Sequence, residues 1–277
     1  MNDTQRYLDP TNDLAFKKVF SDKDRLKDFL NAILRLEEGK RIKELYFIPA
    51  GEVPDLGQGK RSLFDLKCQV EMGTWFVIEM QSRREPNYLK RIQFYGSRAY
   101  TAQLTSGQAY NFLLPVVVVS VLKKSILPPH IEVISYHRTL EEKTNEQHLC
   151  DLSYVFVELG KFTKKAHELE TFEDEWLYFL KSAEEIKSPP HTIKDHWVKQ
   201  AYETIERFNW SELEFDAYIR ASLILDGEEA AKQEAREEGA QSKAMDIAKS
   251  LLANGLSEEL IMETTGLSSE ALNALKD

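Results

Sequence analysis

The 277-residue chain has only two cysteines, Cys68 and Cys150, and no CxxC pair. It is therefore neither a disulfide-stapled secreted domain nor a cysteine-rich zinc protein, and a reducing cytoplasm is the expected compartment. Long apolar runs are missing too. The most apolar stretch, residues 111–122, is twelve residues long and interrupted by Pro115, whereas a membrane span needs about 20. Met1-Asn2-Asp3 is a polar start without the apolar segment of a secretion signal. Positive charge is scarce: 36 Lys and Arg face 46 Asp and Glu, a formal net charge of −10. That excludes a broadly basic chromatin-type binder and leaves room for a local basic groove. There is no glycine-rich phosphate loop, no G-x-S-x-G elbow and no HExxH. The six histidines show no ligand spacing, since His191 and His196 are five apart and do not align on a helix face. What remains is a chain 42% hydrophobic and 30% charged, a soluble globular protein about two domains in size.

The N-terminal residues 11–36 carry Leu14, Val19, Leu26, Phe29, Leu30 and Ile33 at spacings near three and four, which predicts a helix. Thr11 or Asn12 would cap it, and Asp13 lies where the helix dipole favours an anion. Residues 45–48, 63–70, 75–81, 111–122, 131–136 and 152–159 read as strands, the fourth through its run of four valines. Pro86 suits the start of a helix ending near Leu104. Residues 51–59 form a Gly- and Pro-containing loop. From about Lys164 the strand signals stop, and residues 172–186, 193–208 and 212–225 are predicted helices. Residues 226–239 hold six acids against two bases and read as a solvated helix or linker. Gly255-Leu256-Ser257 and Gly266-Leu267-Ser268 punctuate residues 243–277 into three short helices. Ile247, Leu251, Leu260, Ile261 and Leu267 give that tail a face to bury.

The register of one hairpin follows from side-chain alternation. A three-residue closure Glu71-Met72-Gly73, with Gly73 left-handed, places Val70 opposite Thr74 and Asp65 opposite Glu79. One face then carries Phe64, Leu66, Cys68, Val70, Phe76, Ile78 and Met80 and must be core. The other carries Asp65, Lys67, Gln69, Val77, Glu79 and Gln81. A two-residue closure would shift the register by one and put Asp65 among apolar side chains. Two carboxylates directly opposite on a half-buried face repel, and need a cation, a shared proton or abundant water. A hard divalent ion on Asp65, Glu79 and the Met80 carbonyl would supply the cation. Lys67, pairing with one acid on an exposed face, is the plainer alternative.

Asp65 followed by a hairpin and Glu79-Met80-Gln81 resembles the D…(D/E)-x-K core of the PD-(D/E)XK nucleases, with Gln in the lysine position. More specifically, the chain resembles the bacterial recombination-promoting nuclease/transposase (Rpn-type) family. The matching pieces are Thr11-Asn12-Asp13-Leu14-Ala15-Phe16-Lys17-Lys18-Val19-Phe20, Phe64-Asp65-Leu66-Lys67-Cys68, Val77-Ile78-Glu79-Met80-Gln81 and Gln103-Leu104-Thr105-Ser106-Gly107-Gln108-Ala109-Tyr110. The similarity spans roughly residues 8–225. It implies a mixed α/β, restriction-endonuclease-like αβββαβ core, cleavage of DNA with Mg²⁺ or Mn²⁺, and a link to DNA recombination or transposition. The catalytic candidates are Asp65, Glu79, Gln81 and Lys67, with metal on Asp65, Glu79 and the Met80 carbonyl. Gln81 can hydrogen-bond a water but brings no charge, and Lys67 on the same face is the candidate to supply it. Pro54-Asp55 competes for the motif aspartate, but turn chemistry explains it. Asp13 matches the family start and equally suits a helix-start acid.

Arg91, Tyr95 and Arg98 lie on one row of the predicted helix with Tyr88 and, with Lys17, are candidate nucleic-acid contacts; an ordinary amphipathic helix explains the row as well. The expected organisation is a nuclease-like core over residues 1–160, a helical extension packed on it over 161–225, and an acidic linker with a helical tail over 226–277. The last predicted helix, 269–276, has one base and one acid. A groove-reading helix normally carries more Arg, Lys or Asn, so residues 227–277 are expected to serve self-association or a protein partner rather than DNA reading. The alternative to a DNA endonuclease is a nuclease fold that cuts weakly or not at all and acts as a binding or regulatory module through this tail.

Overall fold

The computed structural model describes residues 6–36, 39–48 and 65–275. The loop 51–59 with Pro54-Asp55, the strand start at Leu63 and Phe64, the first three residues and Lys276 lie outside the described residues. The chain divides into two compact units, Met1–Tyr218 and Ile219–Asp277.

The first unit opens with two helices where the apolar spacing alone predicts one. α1 (Asp13–Phe20) is capped by Asn12, whose side chain accepts from the Leu14 N–H. The Asp22 carboxylate then accepts from the N–H groups of Asp24 and Arg25 and starts α2 (Lys23–Ile33). An N-cap residue has extended backbone, so Asp22 must break the helix while the apolar period runs on through it. The strands are β1 (Leu45–Phe47), β2 (Leu66–Val70), β3 (Trp75–Gln81), β4 (Val116–Leu122), β5 (Ile134–Arg138) and β6 (Leu152–Glu158), with α3 (Tyr88–Thr101) between β3 and β4. They form one mixed sheet in the order β1-β2-β3-β4-β6-β5. β3, β4 and β6 are parallel, and the other pairs are antiparallel. This is the mixed α/β architecture expected of the nuclease core. α4 (Phe172–Ser182), α5 (His196–Ile205) and α6 (Glu212–Ala253) follow.

α3 covers one face of the sheet. Its Tyr88, Ile92 and Ala99 pack on Val77, Val116, Val118, Leu122 and Phe156. The helix comes close because residue 96 is Gly: a Cβ there would lie 3.1 Å from Val118 Cγ2 and 3.2 Å from Tyr154 Oη. α1, α2, α4 and α5 build a second layer around Phe16, Phe20, Phe29, Trp176, Phe179 and Tyr202, with ring centroids 4.7–5.9 Å apart. Each such buried ring contributes about 1.5–3 kcal/mol by area.

The hairpin closes as alternation demands. Gly73 has φ +91°, its N–H donates to the Val70 carbonyl at 2.8 Å, and the Val70 N–H donates to the Thr74 carbonyl at 3.1 Å. Leu66 pairs with Ile78 and Cys68 with Phe76, so the same register carried one step on sets Asp65 opposite Glu79. One expectation changes. The face bearing Lys67, Glu79 and Gln81 is buried rather than half-buried, because α3 lies over it.

In the second unit, the acidic stretch 226–239 is helix, part of the unbroken α6. The end of α6, α7 (Glu258–Thr265) and α8 (Ser269–Asn273) each bury one residue in a small core: Ala248, Ile261 and Leu272. Leu251 and Leu267 pack there as the sequence suggests, whereas Ile247 and Leu260 are exposed. Gly266 ends α7 in left-handed backbone, and Ser268 caps α8 by accepting from the Ala271 N–H. No helix among the described residues is long and apolar enough to cross a membrane.

Candidate active site

Strand alternation and the three-residue turn bring Asp65 and Glu79 together at the carboxyl end of β3. The Asp65 N–H donates to Glu79 Oε1 at 3.3 Å, and the Met80 N–H donates to Asp65 Oδ2 at 2.7 Å. Both acids are shielded from water, Glu79 with only 5% of its surface exposed. Burial pushes the Glu79 carboxyl up to about 8, with the Asp65 charge adding to the effect and the Asp65 N–H opposing it. Burial and a hydrogen bond shared with Asp13 push Asp65 up to about 6, against the Met80 N–H and the Lys17 charge. Shielded from solvent, two neighbouring carboxylates resist joint ionisation, as electrostatics requires.

Positive charge reaches the pair from outside the hairpin. Lys17, on α1, sets its ammonium 3.0 Å from Asp13 Oδ2 and 3.1 Å from Asp65 Oδ1. Burial acts to strip the Lys17 proton, but Asp65 and Asp13 outweigh it and hold the proton more tightly than usual. Arg91, on α3, donates from Nη2 to Gln81 Oε1 and from Nη1 to Glu85 Oε2. Lys67 lies buried on the same strand face as Glu79. Its ammonium lies 4.0 Å from the centre of the Trp75 ring, toward the hairpin turn, a cation–π placement that suits a buried amine.

The structure thus brings together Asp65, Glu79, Gln81 and the Met80 backbone with Asp13, Lys17 and Arg91, and sets the Lys67 ammonium against Trp75. The α3 row faces the sheet more than solvent. Tyr88 is buried with its hydroxyl bonded to Ser120, Tyr95 packs against the core, and Arg98 is half-buried. Sequence reasoning missed Glu85. Its sequence signal is its place between Gln81 and Arg91, which becomes meaningful only once α3 folds back over β3.

Among the described residues, no three acidic, His or Cys side chains converge enough to hold a metal by themselves. Mg²⁺ or Mn²⁺ fits the Asp65–Glu79 pair, because such ions take one or two carboxylates and complete their shell with water and phosphate oxygens. Two hard-oxygen donors with raised proton affinity, Glu79 buried and Asp65 mostly so, answer that description.

A mixed sheet whose central hairpin presents an acid pair at its carboxyl end, followed by a covering helix, defines the restriction-endonuclease-like class. Residues 10–235 match the family model described as PD-(D/E)XK nuclease family transposase, and the chain belongs to that family. Residues 241–277 match a second model, the C-terminal HTH domain of the Rpn/YhgA-like nuclease family. The tail thus carries a helix-turn-helix match, which suggests DNA binding beside the self-association or protein partner expected from its sequence. The sparse charge of its last helix bears on what it touches. Its architecture is specified by Ala248, Ile261, Leu272 and the Gly266 turn. No curated protein and no solved structure matched the chain.

Proposed function

We propose that this protein is a divalent-metal-dependent DNA endonuclease serving recombination or transposition. The observation that supports it most is the Asp65–Glu79 pair, opposed in register and largely shielded, with Lys17 against it. Asp65, Glu79 and the Met80 carbonyl would hold Mg²⁺ or Mn²⁺. The bound ion would lower the pKa of a coordinated water and offset charge on the scissile phosphate. Gln81 would hydrogen-bond the reacting oxygens from the third motif position. Lys17, relieved of part of its work on Asp65 when the cation binds, would face the phosphate. Asp13 orients Lys17. The helix-turn-helix favours DNA as the partner, although residues 241–277 carry three bases against six acids, so long-range attraction to phosphates would not come from this segment.

The test is nicking of supercoiled plasmid with Mg²⁺, comparing the wild-type chain with Asp65→Ala. Metal-dependent nicking in the first and its loss in the second is the expected result. Equal activity in both would overturn the assignment. A second reading, a nuclease fold that binds without efficient cutting, is favoured by Gln81 in place of lysine; it predicts DNA binding without turnover.

A further inference from the structure

We infer that Arg91 is a positioning residue that acts through Gln81, fixing its amide so that only N–H groups are offered to the reacting centre. The inference rests on the nuclease reading above. A guanidinium carries five N–H donors and no acceptor, so the Gln81 atom it touches must be the carbonyl oxygen. Arg91 is itself held on several sides. Its other terminal nitrogen is bonded to Glu85, and its guanidinium carbon lies 4.9 Å from the Tyr88 ring centre and 5.8 Å from that of Tyr95. Gln81 is 8% exposed, so its amide has little room to turn over, and turning would set N–H against N–H.

The consequence is chemical. With its carbonyl turned to Arg91, Gln81 presents its N–H groups and donates to an oxygen of the phosphate or of the attacking water. The positive charge that lysine would bring to position 81 sits instead one side chain further out. Lysine at 81 beside Arg91 would place two cations in contact, so glutamine and Arg91 form a matched pair. Arg91 is thereby spent within the protein rather than free to grip the DNA backbone.

A double-mutant cycle on plasmid nicking tests this, with kcat and KM measured for wild type, Gln81→Ala, Arg91→Ala and the double variant. Loss of one preorganised donor typically costs ~100-fold in kcat. Each single variant should show about that loss with KM within about twofold of wild type, and the double variant should be no worse than Gln81→Ala, because residues acting through one another are not additive. Gln81→Lys alone should cut less well than Gln81→Lys combined with Arg91→Ala, a reversal of sign that a merely structural arginine would not produce. Should Arg91→Ala fail to fold, Arg91→Met keeps the stem and replaces it in the cycle. Multiplying losses in the double variant, or a loss confined to KM, would overturn the inference and make Arg91 a phosphate contact. A wild-type chain that does not cut with Mg²⁺ would overturn the nuclease reading and the inference with it, an outcome distinct from active wild type with an indifferent Arg91.

Discussion

Replacing Glu79 by Gln removes a charge from a buried site while keeping the shape and the acceptor for the Asp65 N–H. In the folded protein this carboxyl is raised from 4.5 to about 8, first by burial and then by Asp65. A raised carboxyl favours the neutral form in the fold. Its contribution to stability is complete below the unfolded value and is lost as pH rises through the folded one. Each unit between the two is worth about 1.4 kcal/mol, so the metal-free wild type should lose roughly 3–4 kcal/mol between pH 5 and pH 8. Glu79→Gln should show much less of this loss. The two proteins should be nearly equal at pH 5, and the variant the more stable at pH 8.5. Urea unfolding with EDTA at several pH values measures this as a shift in midpoint at constant slope. Parallel curves for the two proteins across the range would refute the reasoning, because they would mean that Glu79 ionises in the fold as easily as in water.

Mg²⁺ or Mn²⁺ at 100 times its dissociation constant should stabilise the wild type by about 2.7 kcal/mol, seen as a raised melting temperature; Glu79→Ala should lose the rise, and an equal shift in the variant would place the ion elsewhere. Gly96→Ala gains about 1 kcal/mol of helix propensity, but its new methyl meets buried Val118 and half-buried Tyr154 at 3.1–3.3 Å; overpacking at ~1–3 kcal/mol should leave the variant less stable in thermal melts. Deleting residues 241–277 should leave kcat for Mg²⁺-dependent nicking within about twofold and raise KM for plasmid; unchanged KM with a smaller light-scattering mass would assign the helix-turn-helix to self-association instead.

Much of this site follows from local rules. Alternation of period two, a glycine where the turn needs positive φ and a wholly apolar set of partners leave one register for the hairpin, and that register puts Asp65 against Glu79. Gly266 and Ser268 likewise mark the turn of the tail, since left-handed backbone and an N-cap are one-residue preferences. The break between α1 and α2 was equally local, at Asp22, but the apolar spacing runs through it and hides it.

Which cations attend the acids was decided only in three dimensions. Lys67 is nearest to Asp65 along the chain and lies on the same strand face, and its ammonium also meets the Trp75 ring, 4.0 Å from its centre. Lys17 is forty-eight positions away from Asp65 and meets it only because the fold brings α1 within ion-pair reach of it. Arg91 reads from sequence as one of several basic groups on an amphipathic helix; Gly96 lets α3 approach the sheet and so turns Arg91 onto Gln81. Covalent geometry and side-chain period act over a few residues and are legible in a single chain. Pairing of charges across elements depends on how whole layers pack, and no local spacing encodes that.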